Sequence, residues 1–153
     1  MRTYFRLCNS LYKDDLSGTG AEIYGGRWNS KGLKAMYCAE HISLSMLEIL
    51  VNVSREYFNS KLEFHLLEFV LKDEWISTLE LQKLKKNWQN DIEYTQYIGD
   101  QFLLSNHNLG LRIPSAVIPE EFNLLINPNH ELASKLSLKK SRPYKLDSRL
   151  IVH

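Results

Sequence analysis

The sequence is short of the residues that would place it outside the ordinary globular class. Only two cysteines, Cys8 and Cys38, occur in 153 residues. That excludes a secreted disulfide framework and a cysteine-based metal knuckle, and it points to a reducing compartment, so the expected location is cytoplasmic. Four prolines and seven glycines are too few for a collagen-like or low-complexity chain. No charge sign dominates: 19 Lys and Arg oppose 18 Asp and Glu, for a net charge of +1. The chain therefore lacks the field of a dedicated nucleic-acid binder. No apolar run approaches the roughly 20 residues of a membrane span. Met1–Leu11 is charged and has no apolar h-region, so no secretory signal is expected. His41, His65, His107, His130 and His153 show no H-E-x-x-H spacing, and no metal is expected.

What is there is a hydrophobic content of 44% and a charged content of 24%, ordinary for a domain that buries about two thirds of its unfolded surface. A single domain over residues 1–153 is expected. Thr3–Leu7 reads as an opening strand. Ser17–Gly32 reads as a long irregular loop, of a length that is usually functional or disordered. Ala35–Ala39 reads as a strand and Ser43–Val53 as a helix, with Leu44, Leu47, Leu50 and Val51 near helical spacing. Glu63–Leu71 is apolar enough for a strand covered on both faces. Asp73–Asn90 suggests a short helix on a connecting segment. Asp91–Leu104 reads as a helix interrupted by Gly99, at about 1 kcal/mol relative to alanine. Beyond it come extended runs at Leu109–Ile113, Ala116–Ile118 and Phe122–Ile126, broken by Pro114, Pro119 and Pro128. Asn129–Leu136 suggests a short helix, Tyr144–Asp147 a closing strand, and the basic run Lys135–Lys145 either a solvated face or a surface for an acidic partner. Strands and helices without regular βα alternation predict an α+β fold.

Three places can carry chemistry. In Gly25-Gly26-Arg27-Trp28-Asn29, free backbone precedes a planar, permanent cation suited to phosphate or carboxylate; Trp28 reads mostly as packing. Glu48 sits within Met46-Leu47-Glu48-Ile49-Leu50-Val51. Ser45-Met46-Leu47-Glu48 fits a capping box, and Ser45, Glu48 and Asn52 fit a polar helix stripe aimed at water or into a cleft. Ser115 follows Pro114, which fixes the approach of the chain. No G-x-S-x-G surrounds it, so a hydrolase nucleophile is not indicated.

Arg27, Glu48 and Ser115 form an ordered R…E…S set, and the chain resembles the RES domain family. The likeness is carried by Tyr4-Phe5-Arg6-Leu7, Ser17-Gly18-Thr19-Gly20-Ala21, Gly25–Gly32, Met36-Tyr37-Cys38-Ala39-Glu40 and Ser43–Glu48. It continues through Ile98-Gly99-Asp100, Ile113-Pro114-Ser115-Ala116, Asn123–Pro128 and Asp147–Leu150. The resemblance implies a compact α+β domain similar to ADP-ribosyltransferases, with mixed or antiparallel sheets around a central NAD cleft. It implies a toxin of a bacterial toxin–antitoxin module, partnered by an Xre-type helix-turn-helix antitoxin; from charge and apolar run length, neither direct nucleic acid nor membrane is an expected partner. The toxin would consume NAD as substrate, with no resident cofactor, by passing ADP-ribose to inorganic phosphate or water. The alternative is ADP-ribosyl transfer to a protein. On this resemblance Arg27 anchors the diphosphate, with Arg6 as a second candidate. Tyr37 stacks on nicotinamide, Glu48 faces the ribose, and Ser115 orients Glu48 or the nicotinamide ribose. Two other readings compete: an RNA-targeting toxin, which lacks a His/Glu acid–base pair and interleaved aromatics, and a catalytically silent binding module.

Overall fold

The computed structural model describes residues 1–54, 58 and 62–151; His153 lies outside them. Strands β1 (Arg2–Asn9), β2 (Met36–Ala39), β3 (Phe64–Leu71), β4 (Ile76–Thr78), β5 (Gly110–Pro114), β6 (Phe122–Ile126) and β7 (Ser137–Tyr144) join in one seven-stranded sheet, ordered β4-β5-β6-β2-β1-β3-β7. Only the β4–β5 pair is parallel; the other pairs are antiparallel. Helices α1 (Thr19–Tyr24), α2 (Ile42–Asn52) and α3 (Ile92–Ser105) lie between the strands in sequence. The architecture is the expected α+β one. No helix among the described residues is long and apolar enough to cross a membrane.

The central strands are apolar on both faces because each face has its own core, as the period of two in a strand requires. Met36 and Cys38 of β2, Leu67, Phe69 and Leu71 of β3, and Leu124 and Ile126 of β6 join Tyr4 and Leu109 in one cluster. Residues of opposite parity turn the other way. Leu125, with Leu111 and Ile113, packs under Trp28, Trp88 and Leu103. Phe64 and Leu66 pack with Leu7 and with Ile42, Met46 and Ile49 of α2. The second face thus carries two separate clusters, one under α3 and one under α2.

Several expected boundaries move. The 17–32 segment is not wholly irregular, since it contains α1. Ala116–Ile118 is a turn region outside any strand, where Ser115 Oγ accepts from the Val117 and Ile118 N–H groups. Segment 73–90 holds β4 and short 3-10 turns in place of an α-helix. The short helix expected at 129–136 forms as a 3-10 helix over Glu131–Lys135. The closing strand is Ser137–Tyr144, upstream of the expected 144–147. Its Lys139, Lys140 and Arg142 are exposed, and the strand lies at an edge of the sheet. Lysines and Pro143 on that edge discourage pairing with another chain.

Helix α3 begins where Asp91 caps it, its carboxylate accepting from the Tyr94 N–H at 2.9 Å. It ends at Asn106 in the left-handed conformation, φ 54°. Gly99, unfavourable for a helix in isolation, lies against the 25–30 loop: a Cβ there would stand 1.7 Å from the Trp28 carbonyl oxygen. Backbone occupies that space and has no rotamer by which to withdraw. Gly99→Ala is therefore expected to destabilise the protein by about 1–3 kcal/mol in urea or thermal denaturation. Gly20→Ala, in α1 with nothing within 4 Å of its added Cβ, is expected to be neutral or to stabilise by up to about 1 kcal/mol. Equal stabilities for the two variants would contradict the close docking of α3 on the loop.

Candidate active site

The glycine-rich loop is shaped by Asn29, whose side chain is fully buried. Its Nδ2 donates to the carbonyls of Ala21 at 2.8 Å, Leu33 at 3.0 Å and Ser30 at 3.3 Å. Its Oδ1 accepts from the Tyr37 hydroxyl at 2.7 Å, and that hydroxyl accepts from the Trp28 N–H at 3.1 Å. The loop closes so tightly that a Cβ on Gly26 would lie 2.7 Å from both Asn29 Oδ1 and the Tyr37 oxygen. Glycine is the residue that fits.

Helix α3 holds the same loop from the other side. Thr95 Oγ1 donates to the Arg27 carbonyl at 2.7 Å, and Gln96 Nε2 donates to the Gly26 carbonyl at 2.9 Å. Asp100 accepts from both the N–H and the hydroxyl of Ser30, at 2.8 and 2.5 Å. Trp28 is buried beside Trp88, ring centroids 5.7 Å apart, in the packing role expected for it. With the backbone held in this way, the Arg27 guanidinium donates through Nη1 to the Gln89 carbonyl at 2.8 Å.

A cavity of about 800 Å³ opens beside this loop, bordered by β1, α1, the loop, β2, α2 and one residue of β6. Arg27, Arg6, Tyr37 and Glu48 all line it. Arg6 Nη1 donates to the Asp15 carbonyl at 3.0 Å. Burial holds the Tyr37 phenol above its ordinary pKa, so it stays protonated and serves as a hydrogen-bond donor. Cys8 and Cys38 border the cavity too. Burial raises both thiols, Cys38 to about 12, and neither is an activated nucleophile.

On the α2 side, Ser45, Glu48 and Asn52 all line the cavity, so the polar stripe is turned into a cleft. The capping-box reading of Ser45 does not hold. The helix starts earlier, with His41 as its N-cap, and the buried Ser45 hydroxyl accepts from the Leu7 N–H at 2.9 Å. Glu48 Oε1 accepts from Ser115 Oγ at 2.8 Å and from Asn123 Nδ2 at 2.6 Å. Ser115 Oγ in turn accepts from the N–H groups of Val117 at 3.1 Å and Ile118 at 3.2 Å. With its acceptor side occupied, the serine proton goes to Glu48. Ser115 is 1% exposed and stands behind the carboxylate.

Four of the five sequence-derived site residues therefore share one cavity, and Ser115 touches it through Glu48. His41 sits at the helix end, 57% exposed and 3.4 Å from Glu121. His65 bonds Ser10 Oγ at 2.7 Å, and the buried His130 accepts from Leu132 N–H at 3.1 Å. Asn29, Asp100 and Asn123 carry the geometry yet drew no individual role from the sequence. Each had one weak signal. Asn29 closes the loop motif, Asp100 follows the helix glycine, and Asn123 interrupts an otherwise apolar strand.

The RES domain model matches residues 3–147. The chain is 41% identical over 137 residues to "Toxin Res" of Yersinia enterocolitica, covering 88% of this chain and 89% of the relative. It is 34% identical over 151 residues to "Toxin Res" of Photorhabdus laumondii, covering 96% of each. It is 36% identical over 143 residues to the "Prs ADP-ribosylating toxin" of a Sphingobium species, covering 90% of this chain and 88% of the relative. Among solved structures, the M. tuberculosis MbcT–MbcA toxin–antitoxin complex contains a chain that superposes with a TM-score of 0.76 at 21% identity, over 94% of this chain and 84% of that one. At that identity the match shows a shared fold.

The Asn29 staple gives a stability test. In Asn29→Asp a carboxylate oxygen would replace the donor that three carbonyls now receive. The variant is expected to lose about 3 kcal/mol or more, because a buried charge would face unsatisfied acceptors. Urea denaturation measures this; a loss under about 1 kcal/mol would contradict the role of Asn29.

Proposed function

We propose that this chain, which belongs to the RES domain family, is the toxin of a toxin–antitoxin module and consumes NAD by cleaving its nicotinamide–ribose bond. The observation that carries the reading is one cavity lined by both Arg27 and the clamped carboxylate of Glu48. A dinucleotide presents a diphosphate and, beyond it, a ribose carrying a cationic ring. In this reading Arg27, joined by Arg6, takes the diphosphate. The ring of Tyr37 receives the nicotinamide. Glu48 hydrogen-bonds a ribose hydroxyl and opposes the positive charge that develops on the sugar. Glycosidic cleavage of this kind passes through an oxocarbenium-like transition state. Nicotinamide leaves neutral with the bonding electron pair, and an oxygen of phosphate or water attacks the anomeric carbon, attacking water losing one proton to solvent. The products are nicotinamide and ADP-ribose or its phosphate ester. Ser115 positions Glu48 and does not act as a nucleophile.

Transfer of ADP-ribose to a protein is the second reading, favoured by the similarity to the ADP-ribosylating toxin of the Sphingobium species. The partner in this proposal is an antitoxin of the Xre-type helix-turn-helix class. The "Toxin Res" relatives and the fold shared with a chain of a toxin–antitoxin complex support an antitoxin partner; the Xre-type class rests on the family resemblance of the sequence.

Incubation of the protein with NAD, with and without phosphate, followed by mass spectrometry of the small molecules, identifies the acceptor. Free nicotinamide with ADP-ribose or its phosphate ester is expected. NAD left intact under both conditions would remove cleavage with either small acceptor, and nicotinamide release only after addition of cell extract would favour transfer to a protein. Glu48→Gln is expected to lower kcat by about 100-fold or more, the scale for loss of one preorganised electrostatic group. Arg27→Lys keeps the charge but loses the planar fork, and is expected to raise KM for NAD about tenfold. An unchanged KM would remove Arg27 from diphosphate binding.

A further inference from the structure

Two donors from different parts of the sheet converge on one oxygen of Glu48. Ser115 follows β5, and Asn123 lies in the neighbouring β6, paired in register with Ile113 and Ala39. Both bonds end on Oε1, at 2.8 and 2.6 Å. Among the described residues none donates to Oε2, and Glu48 borders the cavity. The terminal torsion of a free glutamate is broad and roughly two-fold, so one tether still lets the carboxylate turn. Two tethers on a single oxygen restrict that freedom and leave the other oxygen without a donor among the described residues.

The second tether belongs to an amide, which is suited to this place. A carboxylate only accepts, so Asn123 turns its nitrogen toward Oε1. The amide neither gains nor loses a proton in the working pH range, and the charge-assisted bond is short. Asn123 makes no other side-chain hydrogen bond among the described residues. In a strand whose Leu124, Leu125 and Ile126 are buried apolar residues, its polar group has Glu48 as its one described partner.

We infer that Asn123 is a positioning residue: with Ser115 it holds Glu48 by Oε1, so that Oε2 is the oxygen offered to the sugar. The inference rests on the reading of Glu48 as the carboxylate that faces the ribose. It extends that reading to a residue of β6 and to one atom of the carboxylate.

Steady-state NAD consumption by Asn123→Ala and Asn123→Asp tests it. Misplacing a preorganised group by about an ångström costs up to about 100-fold. Asn123→Ala is expected to lower kcat by about 10- to 100-fold with KM for NAD within about threefold of the parent, as for an interaction used mainly in the transition state. Asn123→Asp, which sets a carboxylate against a carboxylate, is expected to lose at least as much. A kcat within about twofold of the parent, or a loss confined to KM, overturns the inference.

A second readout needs no turnover. In nitrogen-15 spectra, the Asn123 side-chain amide is expected to resonate downfield in the parent and to move upfield in Glu48→Gln, where the anion is gone. An amide resonance indifferent to Glu48→Gln also overturns the inference. If the parent consumes no NAD while the resonance responds as expected, the NAD reading fails and the tether to Glu48 stands.

Discussion

The docking of α3 on the Gly25–Ser30 loop is the constraint from which the candidate site follows. Its hydrogen bonds run mostly to loop backbone: Thr95 donates to the Arg27 carbonyl, Gln96 donates to the Gly26 carbonyl, and Asp100 accepts from the Ser30 N–H. The bare face at Gly99 lets the two segments touch. From within, Asn29 and the Tyr37 hydroxyl fill the loop with hydrogen bonds that leave little slack. The Arg27 guanidinium is therefore carried on a fixed backbone and tied at Gln89. A cation held in advance loses less freedom when it meets an anion, which is the physical content of preorganisation.

The acidic side of the cavity is built by the same means from different elements. Helix α2 packs its apolar residues on Leu7 and β3 and turns Ser45, Glu48 and Asn52 inward. Loop and strand residues behind it then fix the carboxylate. Cation and anion are thus seated by separate clusters, one under α3 and one under α2, with β2 between β6 and β1. Tyr37 joins the two halves. Its hydroxyl belongs to the loop, and the residue lines the cavity.

Much of this was legible where the pattern is local. Helices α2 and α3 and strands β1, β2, β3, β5 and β6 follow from periodicity and punctuation, because each is long or apolar enough to declare itself. Helix α1 was hidden by the glycine-rich segment 17–32 that contains it and by its length of 6 residues. Strand β4 is 3 residues long and pairs with β5 more than thirty positions away. Strand β7 carries basic residues because it is an exposed edge, and charge masked its extended character. The capping-box pattern at Ser45 misled for the opposite reason, since a correct local motif was overridden by a tertiary bond to Leu7. At the site, Arg27, Glu48 and Ser115 stood out through their ordered resemblance to a family. Asn123 and Asp100 did not, because their partners lie 75 and 70 residues away in sequence. Nothing local says what a lone asparagine or aspartate will meet.

The central claim is that one cavity receives a dinucleotide between Arg27 and Glu48. A crystal structure of the Glu48→Gln variant grown with NAD tests it most directly. The account predicts the diphosphate within hydrogen-bond distance of the Arg27 guanidinium, the nicotinamide ring against Tyr37 and the adjoining ribose beside residue 48. NAD bound outside this cavity, or bound within it with its diphosphate away from Arg27, would contradict the account.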